Sequence, residues 1–174
     1  MKTIHALLTV AVIPLMCAFV CAQKSQVPPT APVPPQIASA QKIFIANGGG
    51  ESFETVFDQV VFDGGPDRPY NEFYATMKTW GQRQIVSSPA DADLVFEISW
   101  VLSDTGLGRL PILGQLRLII VDPKTHSTLW TINEYVRGAV LLGNRDKNFD
   151  HTINTIMNRV RMLLLPPAAA PADR

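Results

Sequence analysis

Apolar and polar residues alternate along two long stretches of this chain. In residues 114–122, Leu116, Leu118 and Ile120 alternate with Gln115, Arg117 and Ile119. A period of two predicts a strand with the first set on one face. The other face starts polar and ends apolar at Ile119 and Val121, which predicts cover on both sides of its second half. Asp122-Pro123-Lys124-Thr125 predicts a tight turn, because proline presets φ and the aspartate bonds to backbone two residues on. A second strand follows over 127–137, with Trp130, Ile132 and Val136 on one face and Leu129, Thr131, Asn133 and Tyr135 on the other. Glu134 on the Trp130 face predicts that this face meets water there. The other long stretch is 93–102, where Leu94, Phe96, Ile98 and Trp100 alternate with Val95, Glu97, Ser99 and Val101. Shorter strands are predicted over 42–47 and 83–87.

Elsewhere the period changes to that of a helix. Tyr70, Phe73, Tyr74, Met77 and Trp80 form one stripe, with Asp67 placed to cap its start and Gly81 to stop it. Phe149, Ile153, Ile156, Met157, Val160, Leu163 and Leu164 form a longer stripe within 146–165. Asp146 suits the positive end of that helix, Arg159 and Arg161 the negative end, and Pro166-Pro167 ends it. Residues 51–62 predict a short helix from the spacing of Phe53, Val56, Phe57 and Val60. The order of elements predicts an α+β fold: a mainly antiparallel sheet of four to five strands with two long amphipathic helices packed on one face.

At 174 residues this is one domain with appendages. Residues 1–22 read as a signal peptide. Lys2 precedes a mostly apolar run, and Val20-Cys21-Ala22 offers small residues for cleavage before Gln23. The alternative is an uncleaved anchor, against which Pro14 and the processing site argue. Residues 23–40 carry VPPTAPVPP and predict a disordered linker with polyproline II character. The domain is expected over 41–165, and 166–174 is expected to be a disordered tail. Cys17 and Cys21 are the chain's two cysteines. Met16 and Val20 precede them, a poor fit to lipid attachment, and cleavage after Ala22 would leave no thiol. A periplasmic or secreted location follows. With 15 basic against 15 acidic residues and no basic patch, nucleic acid is excluded as an expected partner.

Catalytic chemistry finds little footing. Asn47-Gly48-Gly49-Gly50 follows a strand, but no Gly-Lys-Ser/Thr or GxGxxG spacing accompanies it, so a turn is expected. Asp63, Asp67, Asn71 and Glu72 resemble an oxygen cage only faintly and match no EF-hand spacing. His126 and His151 stand apart from any GxSxG or HExxH pattern. Asp91 and Glu97 would be a carboxylate pair only if folding brought them together. No metal, cofactor or catalytic residue is expected.

The odd segments are two apolar loops. Residues 105–113 contain Leu107, Arg109, Leu110, Ile112 and Leu113; residues 138–143 contain Val140, Leu141 and Leu142, with Arg145 just beyond. If 93–102 pairs antiparallel with 114–122, and that strand with 127–137, both loops emerge at one end of the sheet. Either they bury one another as a satellite core, or they form a patch for a partner, lipid or ligand, rimmed by Arg109 and Arg145.

The elements around SPADADLVFEISW and LRLIIVDPKTHSTLW, with a helix ending in Trp80-Gly81 before them and an amphipathic helix after, resemble small secreted bacterial lipoprotein-like domains. These are similar to the N-terminal domain of TolB. Ala92-Asp93-Leu94, Asp122-Pro123-Lys124-Thr125 and Leu129-Trp130 carry the likeness. It implies an α/β envelope fold and no catalytic residue. A non-catalytic exported module that binds an envelope protein or wall component is therefore expected, touching membrane only through an uncleaved signal segment. The alternative is a small secreted ligand-binder or hydrolase with a pocket at the two loops.

Overall fold

A computed structural model describes residues 31–50, 62–103 and 113–165. The chain falls into two units, Met1–Pro32 and Val33–Arg174. The signal segment, residues 23–30 of the linker, the tail, residues 51–61 and most of the first apolar loop lie outside the described residues.

Among the described residues five strands form one sheet in the second unit: β1 (Lys42–Gly50), β2 (Gln84–Ile85), β3 (Leu94–Ser103), β4 (Leu113–Val121) and β5 (Thr128–Tyr135). Their spatial order is β2-β1-β3-β4-β5. β1 runs parallel to β2 and β3, whereas β3, β4 and β5 are antiparallel neighbours. The sheet is thus mixed and mostly antiparallel, and the fold is α+β. The parallel pair follows from the chain itself: the helix between β1 and β2 carries it back to start a new strand in the same direction.

The alternation read from the sequence decides the buried face. Leu94, Phe96, Ile98 and Trp100 of β3 lie beside Leu116, Leu118 and Ile120 of β4, all at most 1% exposed. Ile43 and Ile45 extend this face on one side and Ile132 on the other. Two long helices cover it. α2 (Arg68–Trp80) packs on β1 and β3, and α3 (Leu142–Leu164) on β4 and β5. All seven residues of the α3 stripe are buried. Gly81 ends α2 in the left-handed conformation, φ 65°, and its N–H donates to the Met77 carbonyl.

Several expectations need correction. The linker was expected to run to residue 40, but Pro35–Ser39 form a short helix, α1, that sinks Ile37 (0% exposed) into the core. Proline at the first turn of a helix is compatible with it, and one well-placed isoleucine docks the turn against α3. The glycine turn after 42–47 is instead the continuation of β1. Its pairing shifts between Asn47 and Gly50, which is a bulge: Asn47 Oδ1 accepts the Gly49 N–H at 2.9 Å, and Gly49 adopts φ +75°. Asp67 stands before α2 but makes no capping bond. Its own backbone is helical, and its carboxylate accepts from Asn47 Nδ2 at 2.7 Å. The strand expected over 83–87 shrinks to Gln84–Ile85. The last helix begins at Leu142, a turn earlier than expected, with no side-chain cap. Glu134 does not mark a wet face; it lies on the helix-covered face and pairs with Arg159 of α3 at 2.6 Å.

Two carboxylates explain the motifs that carried the family likeness. Asp93 Oδ2 accepts the backbone N–H of Gln41 and of Lys42, at 2.9 and 2.8 Å, tying the start of β1 to the start of β3. Those bonds hold its carboxyl below the usual aspartate range. Asp122 Oδ1 accepts the Lys124 N–H at 2.8 Å and closes the turn between β4 and β5, with the same effect on its carboxyl.

Candidate functional site

The antiparallel register of β3, β4 and β5 sets one end of the sheet apart. β3 finishes there at Ser103, β4 starts there at Leu113 and β5 finishes there at Tyr135. The Val136 N–H donates to the Gly114 carbonyl at 2.9 Å and keeps the segment after Tyr135 against the first residues of β4.

Beyond Val136 the chain turns outward. Val140, Leu141 and Leu142 are 92%, 67% and 48% exposed, three aliphatic side chains in succession facing water. These three form no satellite core with the described residues. Tyr135, 55% exposed, stands just before them. The tip is held in shape from beneath: Arg145 Nε donates to the Ala139 carbonyl at 2.6 Å and an Arg145 Nη to the Val140 carbonyl at 3.2 Å. The Asn144 and Arg145 N–H groups donate to the Leu141 carbonyl and start α3. Arg145 is therefore a brace under the tip as well as a neighbour of it. Leu107, Arg109, Leu110 and Ile112 lie outside the described residues, and Leu113 is the first residue of β4.

The carboxylate and histidine candidates do not assemble. His126 is exposed in the β4–β5 turn with φ 56°, and His151 is exposed on α3. Asp91 sits in the short 3-10 turn before β3, whereas Glu97 lies half-buried on the sheet face away from the helices. Asp67 engages Asn47, and Glu72 faces Arg68 at 3.8 Å. Among the described residues no group of three or more His, Cys, Asp or Glu could hold a metal ion, and no helix is long and apolar enough to cross a membrane. A shallow polar cleft of about 440 Å3 lies at the opposite end of the sheet, lined by Lys42, Gln84–Ser87 and Asp91.

A cluster around Arg68 is not legible in the sequence. Its guanidinium donates to the Asp63 carbonyl (2.8 Å), to Asp146 Oδ1 (2.6 Å) and to Asp150 Oδ1 (3.0 Å), and lies 4.4 Å from the centre of the Phe149 ring. Asp146 also accepts the Asp63 N–H, and that bond, followed by the one from Arg68, lowers its carboxyl pKa. The partners come from α2, α3 and the loop before α2, so the cluster clamps those elements together. Nothing in the spacing of Arg68 and Asp146 along the chain could announce it.

No family model matches the chain, and no curated protein matches it. Solved structures do. A neuraminyllactose-binding hemagglutinin homologue from Helicobacter pylori is similar over 78% of this chain and 89% of its own, at 13% identity and TM-score 0.43. The PelC dodecamer from Paraburkholderia phytofirmans is similar over 76% and 95%, at 11% identity and TM-score 0.41. Lipoprotein GNA1162 from Neisseria meningitidis is similar over 67% and 98%, at 10% identity and TM-score 0.36. A lipoprotein and a hemagglutinin homologue thus stand among the similar structures. None of these three is a TolB domain, and the TolB likeness rests on the sequence motifs alone. At these identities no site residue is transferred.

Proposed function

We propose that the chain is an exported, non-catalytic envelope module that binds a protein partner or wall component through the aliphatic tip at Val140, Leu141 and Leu142. The observation that carries this reading is their exposure in an unbroken row. An isolated exposed leucine is ordinary, whereas adjoining bulky aliphatics held outward by a braced loop mark a contact surface. The leucines and Ile112 of residues 105–113 would enlarge it, since the strand ends that flank them, Ser103 and Leu113, lie at the same end of the sheet. Export rests on the N-terminal segment, and the proline-rich residues before α1 give the module reach. At ~3.1 Å per residue, residues 23–34 extend on the order of 40 Å. The TolB-like motifs fit the same setting.

The test is a Val140→Ser, Leu141→Ser double variant. Both side chains already face water, so the melting temperature should stay within about 1 °C. Crosslinking in intact cells should yield a discrete adduct with the parent protein and none with the variant. An adduct that survives the double substitution, or a variant that unfolds, would refute the assignment of the tip.

A further inference from the structure

The free edge of the sheet offers a second surface, separate from the aliphatic tip. β5 pairs with β4 on one side only, and among the described residues nothing pairs with its other side. The Val136 N–H bonds to the Gly114 carbonyl, so alternation turns the N–H and C=O groups of Ile132 and Glu134 toward β4. The N–H and C=O groups of Thr131 and Asn133 consequently point outward from the edge.

Proteins usually guard such an edge with lysine, proline, a bulge or a covering element. β5 is guarded at its two ends. At its start the register shifts between Ile120 and Val121, which bulges Leu129. At its finish α3 covers the edge: Asn148 Nδ2 donates to the Arg137 carbonyl at 2.8 Å, and Thr152 Oγ1 lies 3.5 Å from the Tyr135 carbonyl. The middle has no guard. It carries no lysine, arginine or proline, and the strand's one charge, Glu134, is neutralised by Arg159.

We infer that this middle segment pairs antiparallel with the same segment of a second copy of the chain, about a two-fold axis through Ile132. Thr131 of each copy then faces Asn133 of the other, and their main-chain groups form about four hydrogen bonds. The pairing is self-complementary. On the outer face threonine meets asparagine, twice. On the helix side Trp130 meets Glu134 of the second copy, so no like charges oppose each other. The two five-stranded sheets become one continuous sheet.

The experiment uses the protein as an expressing cell processes it, in sedimentation velocity over a dilution series. The parent chain should show a monomer–dimer equilibrium. A Thr131→Lys, Asn133→Lys variant should be monomeric, because four ammonium groups would crowd the seam, and so should a Thr131→Glu, Asn133→Glu variant. Both positions are exposed, so both variants should keep the parent melting temperature. Mixing the two variants in equal amounts should restore the dimer. Amide exchange at Thr131 and Asn133 should slow as concentration rises. Three results would overturn the inference: a parent chain that stays monomeric at millimolar concentration, a dimer that the lysine variant leaves intact, or amides at Thr131 and Asn133 that are already protected in the dilute monomer. A dimer abolished by the Val140, Leu141 double variant but kept by the lysine variant would move self-association to the aliphatic tip and overturn it as well.

Discussion

Replacing Gly114 with alanine should evict Trp100 from the core. Gly114 faces the helices in register with Leu102, two pairs along from Trp100, and the indole lies diagonally across it. A Cβ built at Gly114 would sit 1.7 Å from Trp100 Cη2 and 1.8 Å from Cζ2. Carbon atoms in contact stand about 3.5–4.0 Å apart, so the ring would have to retreat by roughly 2 Å. It has no room to do so. Trp100 is 1% exposed, its ring meets Phe62 edge-on at 4.8 Å, and its Cβ lies 3.2 Å from where a side chain on Gly50 would begin. The methyl group therefore costs about what losing a packed aromatic costs, some 3–5 kcal/mol. That is a large part of the roughly 5–15 kcal/mol that holds a domain together. Urea unfolding followed by far-UV circular dichroism measures it. In a Trp100→Leu background the same Gly114→Ala change should cost less than about 1 kcal/mol, because the space is free. An unchanged cost in both backgrounds, or a Gly114→Ala protein as stable as the parent, would refute this account of the packing.

Three further outcomes follow from the same geometry. Arg68→Ala should destabilise by about 2 kcal/mol through lost packing and ring contact with Phe149, read as a lower urea midpoint. Arg83→Met should fray the end of α3, because Arg83 Nη2 donates to the Leu164 carbonyl at 2.6 Å; faster amide exchange over the last turn would show it. Asp93, Asp122 and Asp146 all have carboxyl pKa values lowered on folding. Their contribution is therefore complete above the unfolded value, roughly pH 4, and is lost as pH falls through the lower folded values. Unfolding midpoints should drop on acidification below about pH 4, and Asp93→Asn should flatten that drop. A midpoint independent of pH from 5 to 2 would contradict it.

The strands and both long helices were legible because one-sided burial writes its period into the sequence. The α3 stripe from Phe149 to Leu164 and the Leu116-Leu118-Ile120 face needed no tertiary information. What the period could not show was tertiary. Ile37 stands amid prolines, and only its docking against α3 makes α1 a part of the domain. Glu134 looked like a mark of solvent because its partner, Arg159, is remote in sequence. Asn47 to Gly50 looked like a turn because glycine is conformationally free; here that freedom serves a bulge and the close approach of Trp100. At the candidate site the sequence identified the apolar residues and the shared end of the sheet. It left open whether Val140, Leu141 and Leu142 are core or surface, which their exposure decides for these three. Arg145 was expected as a rim charge, and the structure gives its guanidinium the loop carbonyls.

The proposed role turns on what the aliphatic tip touches in the cell, and a photo-reactive residue placed at position 141 measures that directly. The same residue at position 154, exposed on the middle of α3, serves as the control. The account predicts a discrete heterologous adduct from position 141 in intact cells and none from position 154. Adducts equally abundant from both positions, or none from position 141 beyond the chain itself, would contradict it.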